Sequence, residues 1–211
     1  IERIFRLSFQ RMNHLKNAPG ASGPTPSTAP HYKEFVSTVK HLRALQVLDA
    51  ISLSYHEENG VPQLVLYINE EDKNREEAKQ FALAANVEPG KTRYVLAFSP
   101  AFNKTDQIQV VTRSLLGIMF YLSQAVEVPR EDVLQGKVTQ TKTSDGKFFE
   151  WKEVTGDLLR ITSLSGHRQV YSKSIYYRGT WFYIDDSDLS SKSTFSLLSQ
   201  IFSLQAGKIQ D

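Results

Sequence analysis

Residues 176–186 read YYRGTWFYIDD, and the Arg178-Gly179 pair near their start predicts a tight turn between two strands. Glycine adopts the positive φ that such turns need, and the flanking aromatic residues favour extended backbone. We therefore expect strands at 169–177 and 180–185 to pair as an antiparallel hairpin. A hairpin of this kind belongs to an antiparallel sheet, which argues against a doubly wound parallel fold.

Alternation along the two predicted strands sorts their side chains onto two faces, with Tyr176 opposite Trp181. One face is mainly apolar and is expected to lie on the core: Tyr171, Ile175, Tyr177, Phe182 and Ile184. The other is aromatic and edged by polar groups: Ser172, Ser174, Tyr176, Trp181, Tyr183 and Asp185. Trp and Tyr supply flat apolar area with a polar tip, which suits sugars, peptides and partner proteins. The preferred interpretation is that the last helix covers this aromatic face with the apolar stripe of Phe195, Leu198 and Phe202, and an open binding surface is the alternative.

The aromatic face predicts a binding site rather than a catalytic one. Its candidate binding residues, including the rim and the hairpin tip, are Tyr176, Trp181, Tyr183, Asp185, Asp186 and Arg178. No metal site is predicted, because the acidic residues of IDDSDLSS lack the glycine and the further oxygen ligands of a calcium loop. Helix capping is the preferred interpretation: Asp188, Ser190 or Ser191 accepts hydrogen bonds from the free N–H groups of a closing helix near 190–205.

Outward from the hairpin, the order of elements predicts an α+β fold in which helices pack on a largely antiparallel sheet. Residues 31–50 carry apolar side chains at helical spacing, and Asn59-Gly60 predicts another hairpin. Residues 1–16 predict an amphipathic surface helix with a basic face, and a helix that lies on a membrane or a partner is the alternative. Further strands are expected near 137–142 and 147–151.

We expect a single domain that comprises residues 1–211. Residues 18–30 are rich in Pro, Gly, Ser and Thr and lack large apolar side chains, so they predict a flexible loop that can be removed with little loss of stability. Only one predicted helix precedes this loop, which favours a loop over a domain linker. The SPAFNKTD stretch predicts a weaker sub-boundary near 100–105.

Composition limits the classes of function. The formal charge is +2, so no overall field attracts nucleic acid, although a local basic patch stays open. There is no cysteine, which excludes disulfides, thiolate metal sites and cysteine nucleophiles. The longest apolar run, LLGIMFYL at 115–122, is too short to span a bilayer. Phosphate-binding glycine loops and the serine-hydrolase and zinc-protease motifs are absent, so no cofactor is predicted.

Three stretches resemble an uncharacterised group of bacterial proteins: RSLLGIMFYLSQAVEVP (113–129), GKFFEW (146–151) and YYRGTWFYIDDSDLSSKSTFSLLSQIFSLQAG (176–207). Such proteins often look like envelope proteins or lipoproteins with no assigned activity. The resemblance implies the bacterial periplasm or envelope, with the cytoplasm as the alternative, and it carries over no catalytic residue. The chain begins at Ile1 rather than Met, so we expect that a preceding segment, such as a signal peptide, is missing.

Together these features predict a non-enzymatic binding or scaffold component of the cell envelope, whose partner is another protein or a cell-wall glycan and not a nucleic acid. The alternative is a hydrolase or transferase that acts on cell-wall material through a carboxylate-lined cleft containing Asp185 and Asp186. A water-excluded cleft with two facing carboxylates would favour the enzyme. A shallow aromatic surface without perturbed acids would favour binding.

Overall fold

The computed structural model describes residues 1–18, 29–58, 61–98, 105–166 and 172–207. The chain divides into two compact units, Ile1–Pro19 with Pro30–Ser114 and Gly20–Ala29 with Leu115–Asp211. Helices and mainly antiparallel strands confirm the predicted α+β class. The single domain stays a prediction, and most of the loop expected at 18–30 and of the boundary expected near 100–105 lies outside the described residues.

The first unit is built around one six-stranded sheet. Its described elements are α1 (Glu2–Ser8), β1 (Phe9–Met12), β2 (Leu15–Lys16), α2 (Lys33–Val47), β3 (Ile51–Glu58), β4 (Val61–Ile68), α3 (Glu76–Ala84), β5 (Arg93–Ala97) and β6 (Gln107–Thr112). The strands lie in the order β2-β1-β6-β5-β4-β3, and neighbours are antiparallel except for the parallel pair β5 and β6. The pairing of β3 with β4 confirms the hairpin predicted around Asn59-Gly60.

The core of the first unit lies between its helices and its sheet. The predicted apolar stripe of α2 is fully buried at Phe35, Val39, Leu42 and Leu45. The strands contribute alternate residues to the same cluster, namely Leu66, Ile68, Tyr94, Leu96, Ile108 and Val110. Burial of each such large apolar side chain stabilises the fold by about 1.5–3 kcal/mol before entropy costs, so this cluster is the main source of stability in the unit.

The helix predicted for residues 1–16 is wrong beyond Ser8, where α1 ends and the β1–β2 ribbon begins. The ribbon turns at Asn13, whose φ is +50°. The Asn13 side chain donates to the carbonyl of Ala85 and accepts from the N–H of Gln109 at 2.8 Å. These partners are more than 70 residues away in sequence, so pairing with β6 overrides the helical spacing of the apolar residues.

The second unit has a smaller, three-stranded antiparallel sheet. Its described elements are α4 (Leu115–Ser123), α5 (Arg130–Leu134), α6 (Lys152–Thr155), β7 (Thr162–Ser165), β8 (Lys173–Tyr177), β9 (Thr180–Ile184) and α7 (Leu189–Gly207). The strand order is β7-β9-β8. Its buried apolar side chains come mainly from α4, from α6 and the turn after it, and from β9: Ile118, Tyr121, Leu122, Val154, Leu158, Leu159 and Ile184.

Two elements of the second unit test the sequence predictions directly. The closing helix predicted near 190–205 is confirmed as α7, which begins one residue earlier and ends two residues later. The strands expected near 137–142 and 147–151 are reduced to one isolated bridge between Lys142 and Phe148. The Phe149 N–H still donates to the carbonyl of Thr141, but the chain turns into α6 at Lys152, so the pairing stays too short for a regular strand. No helix in the described part of the chain is long and apolar enough to cross a membrane.

Candidate binding site on the C-terminal hairpin

The predicted hairpin and its register are confirmed. β8 pairs with β9 so that Tyr176 lies opposite Trp181, as alternation from the turn required. Arg178 and Gly179 have φ values of +48° and +85°, and two successive positive φ angles define the type I′ turn that joins tightly twisted strands. The turn therefore sets the register and decides which side chains share a face.

Burial of the hairpin differs from the sequence prediction. Ile175 and Tyr177 were expected on the core, but 64% and 60% of their surfaces are exposed. Only the β9 members of that face approach the core, since Ile184 is buried and Phe182 is half-buried. The reason is strand order: β9 is central, whereas β8 lies at the edge of the sheet with all five residues exposed. Tyr171, also expected on this face, lies outside the described residues.

The opposite face of the hairpin carries the aromatic pair on which the binding prediction depends. The rings of Tyr176 and Trp181 are 4.9 Å apart between centroids and tilted by 43°. Tyr176 is 56% exposed, while Trp181 and Tyr183 are half-buried on the central strand. Leu164 of β7 lies opposite Trp181 and extends the apolar area beside it. In the structure, the apolar area of the aromatic face therefore consists of four side chains, Leu164, Tyr176, Trp181 and Tyr183.

Closing helix α7 begins on contacts away from the aromatic face that it was predicted to cover. Its first turn is held elsewhere: the Ser190 hydroxyl donates to the carbonyl of Asp157, and the Ser191 hydroxyl accepts from the N–H of Arg160. The Phe195 ring lies 5.9 Å from Lys173 Nζ. Lys173 shares its face of the hairpin with Ile175, so this contact places Phe195 on the side away from Tyr176.

Asp185 and Asp186 follow β9 and are both exposed. Hydrogen bonds from the hydroxyl and the N–H of Ser187 lower the pKa of Asp185. A hydrogen bond from the Ser172 hydroxyl and the ammonium of Lys192 lower the pKa of Asp186. Both carboxylates therefore stay ionised near neutral pH and organise the turn between β9 and α7. Neither has the raised pKa of a general acid.

Asp188 performs the capping role that the sequence predicted. Its carboxylate accepts from the Ser191 N–H at 2.9 Å and from the Ser191 hydroxyl at 2.7 Å, which makes Asp188 the N-cap of α7. Burial by itself would raise the pKa of Asp188, but the hydrogen bonds from Ser191, together with the charge of Arg160 and the N–H of Ser190, lower it. The acidic run in this stretch is thus accounted for by local structure.

The predicted site residues do not all come together. Arg178 sits in the exposed turn at one end of the hairpin, whereas Asp185 and Asp186 follow the other end of β9. The five residues of β9 separate them by roughly 17 Å at the usual rise per residue. Tyr176 and Trp181 form a close ring contact of the kind that a binding surface uses.

The sequence predictions missed a cleft of about 490 Å³ elsewhere in the second unit. It is lined by residues of 123–128, by Val133 and by residues of 138–141 and 148–152. Trp151 anchors one wall, since its indole N–H donates to the Thr141 hydroxyl at 3.0 Å and its ring meets Phe149 edge-on. We call this the Trp151 cleft. The aromatic cluster in GKFFEW was the signal in the sequence that could have indicated it.

No group of three or more His, Asp or Glu side chains is arranged to hold a metal ion among the residues that the structure describes. No protein-family model, curated protein or solved structure matches this chain.

Proposed function

We propose that this chain is a non-enzymatic binding component that holds an extended segment of another protein along the edge of β8. The observation that carries the proposal is the exposure of Ile175, Tyr176 and Tyr177, three consecutive large side chains on an edge strand. Exposed apolar edge strands tend to pair with other chains, and natural proteins normally protect them. β8 lacks proline, and Lys173 is its one charged residue.

A partner segment that adds as a strand to such an edge gains both affinity and specificity. Backbone hydrogen bonds along the edge give affinity, and alternate side chains of the added strand meet the two faces of the sheet. On one face the partner meets Tyr176 beside Trp181, and on the other it meets Ile175 and Tyr177. Aromatic side chains in this setting are the type that dominates binding energy at interfaces.

The proposal is tested by comparing three proteins: wild type, Tyr176→Ala and Tyr55→Ala. Tyr55 is the matched control because it is a 69% exposed tyrosine on β3, one of the two edge strands of the other sheet. Each protein is immobilised and exposed to a lysate of the source cells and, separately, to purified cell-wall sacculi. We expect one or more proteins to be retained by wild type and by Tyr55→Ala and lost by Tyr176→Ala, and a synthetic peptide from that protein to bind with the same pattern.

The outcomes separate the candidate partners. Retention of sacculi that depends on Tyr176 would instead support a cell-wall glycan that stacks on the aromatic face. If neither kind of partner depends on Tyr176, the proposed binding site is wrong. Loss of folding does not confuse the result, because removing one exposed member of a cross-strand pair costs about 0.2–1 kcal/mol.

A hydrolase or transferase is the second candidate function, and one observation favours it. The Trp151 cleft carries two carboxylates, Glu127 and Glu150, in a volume that would hold a small ligand. Digestion of sacculi by wild type and by Glu150→Gln tests it, with soluble muropeptides as the readout. Activity that is lost in Glu150→Gln would support the enzyme, and absence of activity in wild type would remove this candidate.

A place in the bacterial cell envelope is part of the proposal and rests on the resemblance of the three sequence stretches alone. Fractionation of source cells with an antibody against this chain tests it. Recovery in the cytoplasmic fraction would overturn the location without affecting the proposed binding surface.

A further inference from the structure

Two adjoining cavities in the first unit form a groove beside the β1–β2 ribbon. Their volumes are about 510 Å³ and 460 Å³, and both are lined by Lys16 and His31. His14 and Lys33 line the first cavity, and Arg11 lines the second. All five side chains are exposed. We call these five residues and the space between them the basic groove. They come from β1, β2, the turn between them, the chain before α2 and the first residue of α2.

Arg11 and Lys16 lie directly opposite each other on the paired strands β1 and β2. Side chains at such positions have Cβ atoms about 4.5–5.5 Å apart, and like charges there repel and destabilise the pairing. Arrangements that break a local rule in this way concentrate at functional sites. An anion that contacts both side chains would convert the repulsion into attraction.

The positive charge of the groove is not neutralised within the described part of the chain. No carboxylate there forms an ion pair with Arg11, Lys16 or Lys33. Glu34 is the one acidic residue among the described lining residues of the two cavities. Lys33 also begins α2, and no side chain caps the first turn of that helix, so its N–H groups add partial positive charge.

We propose that the basic groove binds a ligand that carries two linked phosphate groups. The two cavities share Lys16 and His31. A diphosphate with one phosphate group in each cavity would therefore pass beside these two residues. Arg11 binds one phosphate group, and Lys33 binds the other. Guanidinium and ammonium groups form their strongest hydrogen bonds with such oxyanions. The site lies in the first unit and is independent of the β8 edge, so either proposal can fail alone.

Titration calorimetry of the whole chain with inorganic pyrophosphate and with orthophosphate tests the proposal. We expect pyrophosphate to bind at least about tenfold more tightly, because only a diphosphate occupies both cavities. In the double variant Arg11→Gln/Lys16→Gln the affinity for pyrophosphate falls at least about tenfold. The matched control Lys40→Gln/Lys79→Gln removes the same charge from exposed positions on α2 and α3 and changes the affinity by less than about twofold.

Titration with a nucleoside diphosphate shows whether the natural ligand is a nucleotide or another compound with two linked phosphates. Binding equal to that of pyrophosphate supports recognition of the phosphates alone, and tighter binding supports a nucleotide ligand. Equal affinity for orthophosphate and pyrophosphate, or equal losses in the double variant and its control, would overturn the proposal. The single variant Lys33→Gln keeps the test valid if the double variant unfolds, because it lies outside the ribbon and is expected to weaken pyrophosphate binding as well.

Discussion

Some single residues stabilise the fold through hydrogen bonds to residues that are distant in sequence. Arg113 is the clearest case, since the guanidinium is buried and donates to carbonyl groups of α1 and the chain after it, at Arg6, Leu7, Phe9 and Ala18. The carbonyl end of a helix carries partial negative charge, so these carbonyl groups help to stabilise the buried cation. Arg113 therefore ties the N-terminal segment to the end of β6 rather than binding an external anion.

Replacement of Arg113 by Met is expected to lower the free energy of unfolding of the first unit by about 3 kcal/mol, because buried carbonyl groups lose their donor. Arg113→Lys keeps the charge but cannot reach the same set of carbonyls, so an intermediate loss is expected. Urea unfolding followed by circular dichroism measures both. The control Arg43→Met changes an exposed arginine of α2 and is expected to stay within about 0.5 kcal/mol of wild type. A loss at Arg113→Met no larger than at the control would contradict this role.

A few residues with positive φ angles or capping side chains determine where helices and strands of this chain end and how they are joined. The hairpin turn is one example, since both of its central residues have positive φ. The N-terminus of α7 is another, since one carboxylate satisfies its free N–H group at Ser191. Each device is local, so its energetic contribution can be measured by one or two substitutions.

The two turn residues are expected to respond with opposite signs. Gly179→Ala should cost about 1–2 kcal/mol through backbone strain alone, since no heavy atom lies within 4 Å of the added Cβ. Arg178→Asn should stabilise the hairpin by about 0.5 kcal/mol, because Asn tolerates positive φ better than Arg and Asn-Gly is a preferred type I′ pair. Thermal unfolding monitored by Trp fluorescence measures both. Destabilisation by Arg178→Asn would show that the arginine side chain has a role beyond the turn.

Capping of α7 is expected to depend on pH. Because hydrogen bonds lower the pKa of Asp188 in the folded state, its stabilising effect is present above the ordinary carboxyl pKa of about 3.9 and is lost as the pH falls through the lower pKa of the folded state. Asp188→Ala should therefore cost about 1 kcal/mol at pH 7 and less at pH 3. The control Asp188→Asn keeps an acceptor at both pH values. An equal difference between wild type and Asp188→Ala at pH 7 and pH 3 would contradict capping by the ionised carboxylate.

At the scale of the whole molecule, the two compact units have separate sets of buried apolar residues. The only two tryptophans of the chain, Trp151 and Trp181, belong to the second unit. Trp fluorescence therefore reports on the second unit, whereas circular dichroism reports on both. This difference allows the stability of each unit to be followed in the full chain.

Phe81→Ala is expected to destabilise the first unit by about 3–5 kcal/mol, because Phe81 is fully buried and packs edge-on against Tyr94. If the units unfold independently, the variant shifts the part of the circular dichroism transition that belongs to the first unit and leaves the fluorescence transition unchanged. A matched shift of both transitions would show one cooperative domain, as the sequence alone predicted.

The amino-acid sequence by itself determined the features that depend on neighbouring residues. Turn chemistry at Arg178-Gly179 set the register of the hairpin, and helical spacing located the buried stripe of α2. Asp188, which caps α7, was one of three candidate caps, with Ser190 and Ser191. Together these local signals were sufficient for the α+β class. They work at short range because backbone conformation and side-chain alternation follow directly from residue type and spacing.

Tertiary contacts determine which of these elements stay exposed and which distant residues contact each other. β8 was expected to bury Ile175, but its place at the sheet edge leaves that side chain open, and strand order is a property of the whole sheet. Pairing with β6 turned part of the expected first helix into the β1–β2 ribbon. The ribbon places Arg11 and Lys16 opposite each other, and Lys16 lines the same cavities as His31, so the basic groove depends on non-local hydrogen bonds that outweigh a local preference for helix.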